Sequence, residues 1–486
     1  MQSQTRIFTR LVGEFATPPP VVLHKDATVA ELVARLAEAK QSSALVVDDG
    51  GQPAGIVTEQ DVVRRVALHC EGAEPVSSVM TSPVRTVSSA DYLYIAIAAM
   101  RRFDWRHMPV VDPDGRLTGI IERHQALAMA AEQTVGLIER IAHEDTEDGM
   151  REIKAAQVEV ADALFRDSVP AAEIQQLLTG INRDIHRRVV DLCVAGMAGD
   201  GWGAPPVDFA LIIMGSGGRG ESYLYPDQDN GFILDDYPDE DHTRIDGWFI
   251  ELAERMTKML DSIGFPFCNG HVMATNPVWR KTRSQWREQM LVWGRRRSII
   301  AVQLSDIFFD FRAGAGRSDF VDELRADVTA MLKASRAYLM EMEQEAARWG
   351  VALRWFGRFV TEKEKPAHKG KINLKHGGTM PLVTNVRLLA LQHGVKETAT
   401  LARIRRLHEV GVLKDDEQDS MSGAFGLITT LLLRQQIADY KTGAEVSTYV
   451  HPKMLSERER MLLVVSLKAI GKFQERVHHE FTGEVF

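Results

Sequence analysis

The sequence predicts an α+β multidomain protein: an N-terminal tandem repeat, a mixed sheet with flanking helices, and a C-terminal helical bundle. Three observations predict it. Residues 43–57 recur as residues 107–121, an offset of 64. An apolar run at residues 209–214 ends in a glycine-serine turn, and Asp227 and Asp229 follow just ahead of a second apolar run at residues 231–234. From about residue 320, core-type residues recur at helical spacing between Gly and Pro breaks. A chain of 486 residues accommodates about three domains.

Composition narrows the class. Hydrophobic residues make up 45% and charged residues 26%, ordinary for a soluble globular protein. The net charge of −9 argues against nonspecific nucleic-acid binding, since a phosphate backbone attracts the opposite sign. The three cysteines, Cys70, Cys193 and Cys268, lack metal-ligand spacing and suit a reducing compartment. No apolar core of signal-peptide length opens the chain and no apolar run reaches ~18 residues, so the expectation is a cytoplasmic protein with no membrane contact.

Each N-terminal repeat reads strand, amphipathic helix, strand, Gly/Asp turn, strand. Val29, Leu32, Val33 and Leu36 give the first helix its spacing, and residues 45–47 a strand. Units this small bury their apolar faces against each other. Residues 1–132 resemble a tandem pair of cystathionine-β-synthase (CBS) domains, which implies a regulatory adenine nucleotide and a homodimer built head to head through the pair. The first copy ends Gly55-Ile-Val-Thr58-Glu-Gln-Asp61, with the hydroxyl and carboxylate that this family uses on ribose and phosphate. The second ends Gly119-Ile-Ile-Glu122-Arg-His-Gln125 and has neither, so one competent cleft is expected. Thr58 and Asp61 also suit a helix N-cap, and both readings stand at this point.

Residues 133–200 read as a helical connector, with Val135, Ile138 and Ile141, then Val158, Ala161 and Leu164, then Ile185, Val189 and Leu192 at helical spacing. Glycines and prolines at residues 199–206 mark a boundary. The β-branched and aromatic content of residues 209–214 makes them a buried strand. Residues two apart on a strand share a face, so Asp227 and Asp229 point the same way. Two hard oxygen ligands beside a glycine-rich turn suit divalent metal and phosphate. Gly215-Ser-Gly217-Gly-Arg-Gly220 also matches the G-x-G-x-x-G dinucleotide pattern, but only six residues, Pro226 among them, separate Gly220 from Asp227. No crossover helix fits, and that reading fails.

Gly215, Ser216, Gly218, Arg219, Glu221 and the string Asp227-Gln-Asp229-Asn230 resemble a branch of the nucleotidyltransferase superfamily related to PII-protein uridylyltransferases. Residues 268–279 and Asp310-Phe-Arg312 extend the likeness. It implies a catalytic domain over residues 201–320 and a helical, substrate-binding-like domain over residues 321–486. It further implies Mg²⁺ (or Mn²⁺) on Asp227, Asp229 and a third carboxylate, with Gly215, Ser216 and Arg219 on the nucleotide. Asp310, within a strand expected at residues 307–312, is the choice for the third carboxylate. Asp306 is its rival, and a salt bridge from Asp310 to an arginine is the structural alternative. Arg219 either adds charge at the phosphates or pairs with Glu221. Lys371, Lys375 and His376 sit in a basic loop that meets phosphates or is merely solvated. The expected activity is metal-dependent transfer from an NTP to an acceptor, with UTP and a tyrosine hydroxyl on a small signalling protein as the implied pair. The alternative is a nucleotide-sensing adaptor whose transferase domain is inactive.

Overall fold

The 64-residue sequence repeat is also a repeat of hydrogen-bond register. In the computed structural model, β1 (Val22–His24) runs parallel to β2 (Ser43–Val47), which pairs antiparallel with β3 (Pro53–Thr58); helix α1 (Val29–Ala39) joins the first two. The second copy places β4 (Val87–Ser88), helix α2 (Leu93–Arg102), β5 (His107–Val111) and β6 (Leu117–Glu122) in the same order. The pair Ser43↔Thr58 becomes His107↔Glu122, and both hairpins slip register at the equivalent step, Val46/Val47 and Val110/Val111. Val29, Leu32 and Leu36 of α1 face the core, while Val33, expected among them, is 39% exposed. The structure describes residues 11–483 apart from residues 20, 40, 67–71, 92, 103–104, 123–143, 145, 167–168, 297–301, 303, 305–306 and 355–356. Val135, Ile138 and Ile141, expected on a helix, therefore lie outside the described residues, as does Asp306.

The two copies exchange their leading segments. Thr17 bonds Ile120 in both directions (3.0 and 2.9 Å), so the segment ahead of the first copy edges the second hairpin. Sixty-four residues on, Thr81 bonds Ile56 in the same way, and the linker edges the first hairpin. The contact requires glycine in each hairpin. A Cβ on Gly119 would lie 2.8 Å from Ala16 Cβ, and one on the equivalent Gly55 would strike the Met80 side chain.

Chain compaction separates residues 1–137 with 166–169 from residues 138–165 with 170–486. The expected connector helices thus belong to the second unit, as α3 (Glu147–Arg166) and α4 (Ala171–Gly199). They have their own core: Ile174, Leu178, Ile181, Ile185 and Val189 form a buried stripe at three- and four-residue intervals along α4. The central sheet has the order β10–β7–β8–β9, from β7 (Phe209–Ile213), β8 (Asn230–Leu234), β9 (Arg280–Thr282) and β10 (Arg312–Gly316). Both β10 and β8 run antiparallel to β7, and β9 runs parallel to β8. Short helix α5 (Gly215–Arg219) follows β7; α6 (His242–Ile263) and α7 (Arg283–Arg296) connect the later strands.

The strand expected at residues 307–312 does not form. Ile307 and Phe308 are helical, Phe309 and Asp310 turn, and β10 begins only at Arg312. A strand would send successive aromatics to opposite faces; the turn instead lets Phe308, Phe309 and Phe311 all be buried together. Phe308 stacks on Trp286 at 4.8 Å and on Phe311 at 4.9 Å.

The chain then becomes helical, through α8 (Ser318–Ala334), α9 (Arg336–Ala346), α10 (Met380–Gln392), α11 (Thr400–Glu409), α12 (Asp415–Lys441) and α13 (Glu457–Thr482). A two-stranded ribbon, β11 (Ile372–Asn373) with β12 (Tyr449–Val450), sits among them. Their apolar faces join the sheet in one continuous core that includes Leu382, Val386, Leu389, Ile428, Leu432 and Leu467. Helix α13 starts on a capping box in which Ser456 Oγ accepts from Glu459 N and Glu459 Oε2 accepts from Ser456 N. The fold class is α+β multidomain.

The segment exchange gives a direct test. Gly119→Val should destabilise the N-terminal unit by about 1–3 kcal/mol, the usual cost of overpacking. Denaturant unfolding should show a lower midpoint with little change in slope; an unchanged midpoint would mean that the Ala16–Gly119 contact does not hold the repeat.

Candidate functional site

Strand β7 delivers the chain to a turn that only glycine can make. Gly215 has φ of +56°, and a Cβ there would lie 2.5 Å from Asp229 Oδ2. Gly218 packs so closely on the turn at Asp310 that a Cβ would overlap the Asp310 carbonyl oxygen. Helix α5 ends at Gly220, left-handed at φ +79°, and the chain runs without regular structure to β8.

Asp227 and Asp229 sit on that approach, one to three residues before β8 rather than on it. The alternation expected of a strand holds all the same. Met214 N donates to Asp229 O at 2.8 Å, carrying the β7–β8 pairing one residue further. Gln228 and Asn230 are wholly buried: Gln228 Nε2 donates to Thr257 O and Phe265 O (3.0 and 2.7 Å), and Asn230 Oδ1 accepts from Ala274 N (3.0 Å). With the even-numbered side chains anchored inward, Asp227 and Asp229 both line one cleft of about 350 Å³. Burial pushes the Asp229 carboxyl up to about 6; the Cys268 thiol hydrogen bond opposes this, Asp227 adds to it, and Lys375 and Arg219 draw it back. Burial also raises Asp227, against the pull of Lys375.

The opposite wall comes from the helical domain. Lys375 lines the cleft with Lys365 and His368, above a floor that includes Tyr223, Val383 and Phe425. Residues Lys375–Thr379 form a wide π-helical turn running directly into α10. Gly377 allows it, since a Cβ would lie 2.5 Å from Ala352 Cβ. Of the three basic residues expected to meet phosphates, only Lys375 lines the cleft. Lys371 does not, and His376 packs edge-on against Trp349 at 4.9 Å. Sequence reading missed Lys365, His368 and the aromatic floor; the glycine pair inside Lys375-His-Gly-Gly-Thr379 was the available signal for the turn.

Asp310 is not brought to the acidic pair. Its carboxylate is fully buried, with Arg219 Nη1 and Arg387 Nη1 at 2.8 and 2.7 Å from Oδ2. Arg403 Nη1 lies 2.7 Å from Oδ1, a charge contact rather than an aligned hydrogen bond. Burial alone would raise its pKa, but Arg403, Arg387 and Arg219 together hold it far below the carboxylate range. Three guanidiniums occupy the oxygens that a metal would need, so the expected third ligand is a structural ion cluster. Arg219 is likewise engaged: Nε donates to Glu221 Oε2 at 2.6 Å, and burial in this company leaves it firmly charged. Glu221 in turn accepts from Thr400 N (2.6 Å). Ser216 does line the cleft. Among the described residues no group of three or more His, Cys, Asp or Glu is placed to hold a metal ion. Asp227 and Asp229 nevertheless suit Mg²⁺, which is commonly bound by one or two carboxylates plus substrate phosphates.

In the N-terminal unit, Thr58 and Asp61 form a capping box. Thr58 Oγ1 donates to Asp61 Oδ2 (2.7 Å), Thr58 N donates to the same oxygen (3.0 Å), and Asp61 N donates back to Thr58 Oγ1 (3.3 Å). The N-cap arrangement is what the side chains adopt here. Glu122 stands at the position of Thr58 in the second copy, and residues 123–125 lie outside the described residues.

Comparison with known proteins matches this division. The CBS domain model matches residues 12–68 and 76–131. The model described as "Putative nucleotidyltransferase DUF294" matches residues 155–298, and "Putative nucleotidyltransferase substrate binding domain" matches residues 336–481. The N-terminal unit is a CBS pair. Nucleotidyltransferase-type domains follow it. An uncharacterized 17.7 kDa protein of Acidianus ambivalens is 30% identical over 110 residues, 23% of this chain and 66% of that one. Inosine-5'-monophosphate dehydrogenase of Mycobacterium leprae is 37% identical over 103 residues, 21% of this chain and 19% of the enzyme. The chain thus spans a fifth of that enzyme and just under two thirds of the Acidianus protein. Among solved structures, a CBS domain protein of Pyrobaculum aerophilum complexed with AMP is 28% identical, covering 26% of this chain and 96% of its own, with a TM-score of 0.24. None of the described helices is long and apolar enough to cross a membrane.

The buried cluster is open to test. Asp310→Asn would leave three guanidiniums around a neutral amide and should cost about 3–5 kcal/mol of unfolding free energy. Because the folded pKa is depressed, the carboxylate's contribution is complete above ~4 and lost only as pH falls through the lowered value. Wild-type stability in the variant, by denaturant unfolding at pH 7, would contradict the assignment.

Proposed function

We propose that this protein is a metal-dependent nucleotidyltransferase that moves a nucleoside monophosphate from an NTP to an acceptor hydroxyl, regulated by an adenine nucleotide at its CBS pair. One observation carries the reading. Two carboxylates, held side by side by the inward anchoring of Gln228 and Asn230, face a cleft whose far wall presents Lys365 and Lys375. Cation-binding oxygens and ammonium groups lining one cleft suit a metal–triphosphate, whose charge needs both kinds of partner.

Asp227 and Asp229 would hold Mg²⁺ or Mn²⁺, which when bound activates the acceptor oxygen and neutralises charge on the leaving pyrophosphate. Ser216, which lines the cleft with Lys365 and Lys375, and the Gly215 turn beside Asp229 would receive phosphate oxygens. Arg219 lines the cleft too, but Glu221 and Asp310 hold its guanidinium, so the lysines rather than Arg219 would meet the phosphates. In the reaction the acceptor oxygen bonds to the α-phosphorus, the bond from that phosphorus to the bridging oxygen breaks, and pyrophosphate departs as the hydroxyl proton is released. The flat, apolar floor at Val383 and Phe425 would take the base. The resemblance to PII-protein uridylyltransferases makes UTP and a tyrosine hydroxyl on a small signalling protein the first pair to test, and the CBS pair implies a cytoplasmic homodimer formed through residues 1–132.

A second reading has an observation in its favour. With Asp310 sequestered, Asp227 and Asp229 have no third carboxylate grouped with them among the described residues. That would suit a nucleotide-sensing adaptor that binds an NTP without transferring it.

Mg²⁺-dependent pyrophosphate release across the four NTPs separates the two. Asp227→Asn or Asp229→Asn should abolish release. The exposed Asp227 change should leave the unfolding free energy within about 0.5 kcal/mol, and the Asp229 change, at a carboxyl whose burial disfavours its charge, should hold or raise it. Near-normal turnover in both variants would sink the metal assignment. No release from any NTP despite tight binding would favour the adaptor.

Regulation predicts a reciprocal coupling. Saturating AMP should change the affinity of full-length protein for Mg²⁺-NTP by roughly 5–150-fold, the range for 1–3 kcal/mol of coupling, and Mg²⁺-NTP should change AMP affinity by the same factor. Asp61→Ala should weaken AMP binding and remove the effect. Calorimetric titrations giving identical AMP affinity with and without Mg²⁺-NTP would show that the modules do not communicate through binding.

A further inference from the structure

Residues 221–229 form no helix or strand, yet they carry both carboxylates of the site. Backbone groups in such a segment must find partners elsewhere, and here helices supply them through side chains. Gln175 Nε2 donates to Glu221 O (3.0 Å), Ser222 N donates to Thr179 Oγ1 (2.9 Å), and Leu224 N donates to Gln436 Oε1 (3.2 Å). These three clamps are neutral. The fourth is not: Lys154 Nζ, from α3, donates to Leu224 O at 2.7 Å.

Lys154 is only 3% exposed. Its other two protons go to Gln157 Oε1 and Asn182 Oδ1, both at 3.1 Å, so three N–H groups meet three uncharged oxygens. The ammonium also lies 4.4 Å from the centre of the Phe265 ring and 5.7 Å from that of Tyr225. No carboxylate among the described residues pairs with it. A desolvated cation without a counter-ion is expensive, and burial alone lowers this amine to about 7. An apolar side chain of the same length would avoid that desolvation but leave three buried oxygens short of a donor. The lysine thus holds three oxygens together at the cost of a buried charge, which stability alone does not explain.

Its position suggests what. Leu224 lies three residues before Asp227, and Pro226 stiffens the link between them. Asn182, which accepts from Lys154, lines a small cavity with His186 and Phe265, and Asp227 and Asp229 line the same cavity from the other side. The lysine therefore fixes both the carbonyl leading into the acidic pair and the helix face behind it.

We infer that Lys154 is a positioning residue for the acidic pair: by clamping the Leu224 carbonyl to α3 and α4 it holds Asp227 and Asp229 in one arrangement for the cation. This rests on the reading of the pair as a metal site. Manganese binding to the full-length protein, followed by the loss of the free Mn²⁺ resonance, tests both without requiring turnover. Lys154→Met should bind Mn²⁺ about 10–100-fold more weakly, the usual effect of removing a partner that orients metal ligands. Its thermal midpoint should fall, for the buried acceptors left short of a donor, so binding is read well below that midpoint. Lys154→Arg, which keeps the charge and donors, should recover part of the affinity. Wild-type Mn²⁺ affinity in Lys154→Met overturns the inference alone, as does an equal loss of affinity in Leu467→Ala, a core change on α13 that destabilises as much, which would make the lysine merely structural. Should Lys154→Met not fold, Lys154→Gln decides by the same comparison. Absence of Mn²⁺ binding to the wild-type chain overturns the metal reading and this inference with it.

Discussion

One buried carboxylate ties together the segments that wall the candidate cleft. Asp310 gathers Arg219 from α5, Arg387 from α10 and Arg403 from α11, three segments that span nearly 200 residues of chain. An isolated carboxylate at that depth would neutralise itself, and isolated guanidiniums would be still more costly. Each group is tolerable only because the others are present. Glu221 completes the balance by pairing with Arg219 and accepting from Thr400, and Thr398 Oγ1 adds a bond to Gly218 O at 2.9 Å. The glycine-serine turn and the helical bundle are thereby tied at one point. Lys375 enters the cleft from a turn continuous with α10, the helix that carries Arg387. The distance across the cleft, from carboxylates to ammonium groups, thus depends on an ion cluster centred on the buried Asp310, of which Arg219 and Glu221 also line the cleft.

That dependence explains which residues were legible in the sequence. The repeat was, because an offset of 64 residues preserves both side-chain identity and strand register. The pairing of Asp227 with Asp229 was too, since alternation needs only extended backbone and survives even where β8 has not begun. Asp310 was not. A carboxylate in an apolar stretch announces a buried partner, but nothing local says whether that partner is a cation from the solvent or an arginine from far along the chain. The answer lay at Arg387, the one charged residue of α10, with Leu382, Val386 and Leu389 buried on either side of it. A cation in such a run is as informative as the anion, and the two should have been read together.

The strand expected around Asp310 failed for a related reason. β-branched and aromatic content predicts a strand where alternate faces meet different neighbours. Phe308, Phe309 and Phe311 instead all have one neighbourhood, packed with Trp279, Trp286 and Trp293. Tertiary packing overrode local preference, and the turn that resulted brings the Asp310 carbonyl against Gly218. The requirement for glycine at that position is thus a consequence of aromatic packing as well as of the phosphate chemistry suggested by a glycine-rich turn.

The buried charge sites at Asp310 and Lys154 use different cations, and the difference follows from their chemistry. A guanidinium keeps its proton under almost any burial and offers a rigid fork, so three of them can converge on one carboxylate and stay charged. That suits a joint that must not yield. Lysine carries a flexible stem and an amine whose charge burial can remove, and Lys154 is satisfied by neutral oxygens and ring faces rather than by an anion. Such a contact costs less to release than an ion cluster of four charges, because no carboxylate is left stranded. The segment bearing Asp227 and Asp229 is therefore joined to a fixed frame by contacts that can adjust. A site working as proposed, admitting a metal–nucleotide and releasing pyrophosphate, would require that combination: walls that stay apart, and ligands that are ordered without being locked.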